Sequence, residues 1–84
     1  MPTPAALVAE IRAETARQGL TTSALARRAG MRRQNLSEKL NGRRVITVPD
    51  FLAVATALQI PAFELFRRAE SAMSLTGRER GEGR

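Results

Sequence analysis

Residues 20–42 read LTTSALARRAGMRRQNLSEKLNG, and the order of residue types in this stretch decides the local architecture. Thr21 is a good helix N-cap. Leu25, Ala26 and Ala29 recur at helical spacing and give residues 22–29 one apolar face. Gly30 follows, a residue that takes a positive φ without steric penalty and so suits a sharp turn. A second short helix is expected from Arg33 to Leu40, its inner side marked by Leu36 and Leu40, four residues apart, and its end by Asn41-Gly42. Leu25, Ala26, Met31, Leu36 and Leu40 fall where two helices crossing at a steep angle touch, and the small side chain of Ala26 permits close approach.

Outward from this pair the periodicity remains helical. Thr3 can cap a first helix that opens on Pro4, carries Leu7, Val8 and Ile11 as its apolar stripe, and ends near Gln18 with Gly19 as the stop. Arg43 to Ile46 read as a loop. Thr47 caps a fourth helix, with Pro49 tolerated in its first turn and Asp50 at the position of a capping-box partner. Phe51, Leu52, Val54, Ala55 and Leu58 are its expected buried side. Gln59-Ile60 turns the chain, and Pro61 opens a fifth helix, with Phe63, Leu65 and Phe66 inward, that reaches about Ala72 or Met73. No strand pattern and no internal repeat is found. The expectation is therefore an all-α, five-helix domain over residues 4–73, a flexible N-terminus at 1–3, and a disordered charged tail over 74–84, whose last part, TGRERGEGR, has no large apolar side chain. Phe51, Phe63 and Phe66 are expected to anchor the core.

Composition narrows the function. Eighty-four residues are the length of one small domain, and a separate sensor or autocleavage unit is not expected. The chain has no cysteine and no histidine, so it lacks a disulfide framework, a thiolate metal site and the commonest general base. The carboxylates are scattered and no glycine-rich phosphate loop follows a strand. Neither an enzyme, a metal centre nor a cofactor site is expected. No apolar run approaches the roughly 20 residues needed to span a bilayer, and Met1-Pro2-Thr3-Pro4 is not a signal sequence, so a soluble protein of the cytoplasm, with no membrane partner, is the expectation.

The net charge is +6, and its placement is uneven. Residues 27–44 hold Arg27, Arg28, Arg32, Arg33, Lys39, Arg43 and Arg44 against the single anion Glu38, whereas cations and anions cancel over the rest of the chain. So focused a basic segment suits a polyanion, through steering and counterion release. With about 100° per residue, Gln34 and Glu38 lie opposite Leu36 and Leu40. Arg33 stands at the helix tip, and Ser37 at the margin of the exposed side. Arginine can pair bidentately with guanine and glutamine with adenine, and a glutamate can accept from the cytosine amino group. Glu38 is also one turn from Gln34, within reach of a hydrogen bond. Arg43 and Arg44 follow the helix and are placed to grip a phosphate backbone, with Arg27, Arg28 and Arg32 as helpers.

The capped helix, turn glycine and second helix, followed by VPDFLAVATALQIPAFELF, resemble the lambda-repressor-like, Cro-type (XRE) helix-turn-helix family over about Ala6 to Phe66. The resemblance implies that the third helix enters the major groove of double-stranded DNA, first with Arg33 and Gln34 and one turn later with Ser37 and Glu38. It implies phosphate contacts from Asn41 and from Thr21 and Thr22 at the start of the second helix. Two positions depart from the family pattern. Thr22 replaces a common glutamine, and Lys39 stands where an apolar residue is common, which its aliphatic stem could offset by covering the core. The function implied is a prokaryotic or phage transcriptional regulator, a repressor acting by occupancy and binding as a homodimer on inverted half-sites. An antitoxin-type or accessory regulator whose main partner is a protein is the alternative, and an RNA- or protein-binding module a third.

Overall fold

The helices start where short polar side chains can satisfy their first amides. The computed structural model describes the backbone of residues 2–82 and the side chains of residues 2–74. It contains α1 (Pro4–Arg17), α2 (Thr22–Ala29), α3 (Arg33–Leu40), α4 (Val48–Leu58) and α5 (Ala62–Glu82), and no strand among the described residues. Thr3 Oγ1 accepts the Ala6 amide at 3.2 Å, and Thr21 Oγ1 accepts the Ala24 amide at 3.1 Å. Thr47 and Asp50 form a reciprocal capping box at α4. At the turn between α2 and α3, Gly30 adopts φ +70°, and the next amide, Met31, donates to the Ala26 carbonyl at 2.9 Å.

α1 packs on α5, α2 on α4, and α3 against α2 and α1. Ile11, Leu25, Leu36, Val54 and Leu65 are fully enclosed, with Phe51, Leu58 and Ala26 around them. Lys39 is also inside. Its ammonium pairs with Asp50 of the α4 capping box, so the α3–α4 loop is clamped at both ends. The aliphatic stem thus takes the family's apolar place, and the charge finds a partner instead of reaching the surface.

The expected core needs three corrections. Phe63 is 72% exposed and Leu52 49%, while Phe66 is half-buried. Leu65 and Ala69 form the buried line of α5. Phe63 precedes Leu65 by two residues and so points to the far side of the helix. In α4 the stripe Phe51, Val54, Ala55 and Leu58 closes on itself at i, i+3, i+4 and i+7, which turns Leu52 outward. Of the three phenylalanines only Phe51 anchors the core. Ile46, read as loop, is buried.

Both chain ends depart from expectation. Pro2 is buried and the Thr3 amide donates to Met73 Sδ at 3.2 Å, so the segment ahead of α1 lies on α5. Met1 is outside the described residues. α5 runs to Glu82, beyond the expected stop at Ala72 or Met73 and through most of the span read as a disordered tail. Arginine and glutamate are good helix formers, and each residue added to a formed helix gains a backbone bond, which offsets the two glycines there. Residues 83 and 84 lie outside the described residues. Among the described residues no single helix is long and apolar enough to cross a membrane.

A charged network joins α1 to α5. Glu14 accepts from Gln18, Arg17 and Arg68, and Glu64 from Arg67 and Arg68. Gln18 also donates to the Leu58 carbonyl at 2.8 Å, tying the end of α1 to the end of α4. The Gln18 bond, with those from Arg17 and Arg68, holds the Glu14 carboxyl below its ordinary range despite burial. The Arg67 bond and then the Arg68 bond bring Glu64 from 4.5 to about 2. Lys39 and then Thr47 lower Asp50. Carboxyls whose folded pKa is depressed contribute stability above their unfolded pKa and lose it as pH falls through the folded value. Thermal unfolding should therefore hold steady from pH 7 to about 5 and fall steeply between about 4.5 and 2. A midpoint unchanged down to about pH 2.5 would contradict it.

Candidate nucleic-acid interface

α3 presents two unlike sides. Leu36 and Leu40 are enclosed, while Arg33 and Gln34 are exposed. The N-cap position of α3 is Arg32, whose side chain makes no capping bond. The first amides of α3 therefore lack the side-chain acceptor that Thr21 and Thr47 give α2 and α4. Its positive end faces outward beside three consecutive polar side chains, Arg32, Arg33 and Gln34.

A cleft of about 410 Å³ lies along this side, lined by Arg32, Gln34, Asn35, Glu38 and Arg44. Glu38 does not pair with Gln34. Its Oε1 meets Arg44 Nε at 2.7 Å. The Arg43 and Arg44 amides donate to the Glu38 carbonyl at 2.9 and 3.2 Å. Arg44 is thus folded back onto the helix it follows, and the one carboxylate of the basic segment is neutralised where it stands. Asn35 Oδ1 is buried and has no hydrogen-bond partner, an exposed-looking residue in the sequence that proves half-enclosed.

A second cleft, about 190 Å³, opens between α1, the start of α2 and the end of α3. Thr22, Ser37 and Asn41 line it together with Arg12. The Asn41 side-chain amide donates to Ser37 Oγ at 3.5 Å, a long contact. The expected site residues are therefore divided. Arg32, Gln34, Glu38 and Arg44 meet in the first cleft and Thr22, Ser37 and Asn41 in the second. Arg33 and Arg43 are exposed outside both, and Thr21 caps α2 through its hydroxyl oxygen, a bond that does not use the hydroxyl proton. Lys39, one of the seven cations of the segment, is withdrawn into the core by Asp50. Among the described residues no cluster of metal-ligating side chains occurs.

Arg12 joins the site only through the fold. It sits in α1, in the part of the chain where charges cancel. The signal available in sequence was weak: an arginine one residue off the apolar stripe of α1.

A family model described as a helix-turn-helix domain matches residues 6–65. Two crystal structures of the clp gene regulator ClgR from Corynebacterium glutamicum have the same fold. One is 25% identical, with a TM-score of 0.83 over 98% of this chain and 88% of that one. The other is 27% identical, with a TM-score of 0.75 over 87% and 96%. A comparison with curated proteins finds no match. With its paired short helices, its turn glycine and the match over most of its length, the chain belongs to the helix-turn-helix domain family, DNA-binding transcription regulators and not enzymes.

Proposed function

We propose that the chain is a sequence-specific repressor that reads the major groove of duplex DNA with α3. The observation that carries this is the outward polar side of α3, Arg33 and Gln34 exposed at its tip over the enclosed Leu36 and Leu40. Arg33, Gln34, Ser37 and Glu38 take the base edges. Thr21, Thr22, Arg32, Asn41, Arg43 and Arg44 take the phosphates. Major-groove readout asks for polar side chains on a rod narrow enough to enter, and phosphate contacts set its register. The bond from Arg44 lets Glu38 approach DNA without a bare negative charge. Likeness to a clp gene regulator supports a role in gene control. Repression by occupancy, in a prokaryotic cytoplasm, requires no more than this face.

The functional unit is a homodimer on inverted half-sites. The exposed apolar side chains Val48, Leu52 and Phe63 supply the kind of surface a second copy would cover. Selection of bound duplexes from a random pool at physiological salt tests the whole reading. A palindromic motif with half-site centres about one helical turn apart is expected, and a single isolated half-site would remove the dimer. On the selected site, Arg33→Ala and Gln34→Ala should each lose about 1–3 kcal/mol and relax base choice at one position. Equal losses on random duplex would reassign both residues to the backbone.

A further inference from the structure

We infer that Arg12 of α1 is a DNA-backbone contact, and that the cleft it shares with Thr22 and Asn41 seats one phosphate group; the inference rests on the DNA-binding reading above and extends it outside the motif. Three observations carry it.

The first is position. The cleft is bounded by α1, the start of α2 and the end of α3. Ser37 lies on α3 one turn beyond the tip that meets the bases, and Asn41 just past its end, so a strand following α3 along the groove passes this opening. The second is charge. Arg12 is the cation of the cleft, and no carboxylate lines it. The other arginines near the body of the protein, Arg17, Arg67 and Arg68, are tied to Glu14 or Glu64. The third is the posture of the guanidinium. Arg12 Nη1 donates to the Leu40 carbonyl at 2.9 Å, the last residue of α3. That single bond takes an acceptor that a helix end otherwise leaves unsatisfied, and it fixes the side chain against the recognition helix. A guanidinium has five N–H donors in a planar fork. Arg12 lines a cleft that the Thr22 hydroxyl and the Asn41 amide also line. A phosphate, which prefers planar bidentate donors, is what this set recognises. Arg12 is held in place before DNA arrives, so little side-chain entropy remains to be given up on binding.

The rival role is structural: a cap on the end of α3 and nothing more. The two are separated by salt dependence. With the full chain and the selected duplex, binding is titrated between about 50 and 200 mM salt for the parent, Arg12→Gln, Arg12→Lys and, as an internal standard, Arg43→Ala. Removing one phosphate-neutralising cation should make the slope of log affinity against log salt shallower by about 0.9. Arg12→Gln should show this change on selected and random duplex alike, leaving the preferred sequence intact, and Arg12→Lys, which keeps the charge, should restore the parent slope. A parent slope in Arg12→Gln, with Arg43→Ala shifted, overturns the Arg12 contact and leaves the DNA reading standing. Equal impairment of Arg12→Lys and Arg12→Gln without a slope change makes Arg12 a cap only. A parent chain that binds no duplex at the lowest salt overturns both.

Discussion

Leu36→Ala should destabilise the domain by about 3–5 kcal/mol and weaken DNA binding only through the fraction of chain it unfolds, since Leu36 itself points into the core. Leu36 is fully enclosed at the middle of α3 and belongs to the cluster that includes Ile11, Leu25, Val54, Leu58 and Leu65. Truncation leaves a cavity where α3 meets the rest of the fold, and an eight-residue helix cannot collapse into it without moving its outer face. At about 0.05–0.15 kcal/mol per residue, 84 residues hold about 4–13 kcal/mol, so the loss takes a large share of the total. Urea unfolding followed by far-UV circular dichroism gives the number directly. Phe63→Ala is the matched control. It removes a larger side chain, but one that is mostly exposed, so its effect should stay within about 0.5 kcal/mol. A loss below about 1 kcal/mol for Leu36→Ala would mean that α3 is not seated on the core as described.

That contrast shows how much of the molecule is legible in its residues. Thr3, Thr21 and Thr47 announce helix starts because capping is local: the hydroxyl reaches an amide three residues on, and no tertiary information is needed. Leu36 and Leu40 announce an inner face for the same reason, since their spacing matches the helix repeat. Phe63 misleads because hydrophobicity does not say which way a helix is rotated. Leu65 and Ala69 set the rotation of α5 by packing against α1, and Phe63 is carried outward with it. The candidate site divides along the same line. The exposed residues Arg33 and Gln34 follow from their position relative to Leu36. The partners do not. Glu38 chooses Arg44 over Gln34 because the loop after α3 folds back onto the helix end, and Arg12 meets Leu40 across 28 residues. Charge arithmetic along the sequence counts Lys39 with the surface arginines, but the fold spends it on Asp50. Local chemistry is written in neighbouring residues, whereas pairings across elements depend on how the helices are stacked.

The Lys39–Asp50 pair should respond asymmetrically to substitution, with Asp50→Ala destabilising by about 3–5 kcal/mol and Lys39→Met by far less. Asp50 has two tasks at once. As the capping-box residue of α4 its Oδ2 accepts the Thr47 amide at 3.1 Å, and the same oxygen receives the Lys39 ammonium. Removing its carboxylate frays the first turn of α4 and strands an ammonium whose side chain is only 11% exposed. An unpaired buried charge is among the most destabilising single defects a small domain can carry. Lys39→Met reverses the balance. The stem is replaced by one of similar length and better packing, the cation disappears, and Asp50 keeps the Thr47 amide as its partner. Replacing both charges, with Lys39→Met and Asp50→Asn together, keeps an oxygen for the Thr47 amide and should come within about 1 kcal/mol of the parent or exceed it. A double-mutant cycle in urea built from Lys39→Met, Asp50→Asn and the two together measures the coupling. Small and equal effects for Asp50→Ala and Lys39→Met would show that water reaches the pair and that α3 is not clamped to α4. In the proposed reading the clamp matters for function because it fixes the end of α3, after which Asn41, Arg43 and Arg44 follow. Asp50→Ala assayed at low temperature, where the domain is still folded, should therefore weaken binding to selected and random duplex by similar factors, since displacing the proposed phosphate contacts reduces affinity without altering which bases are preferred.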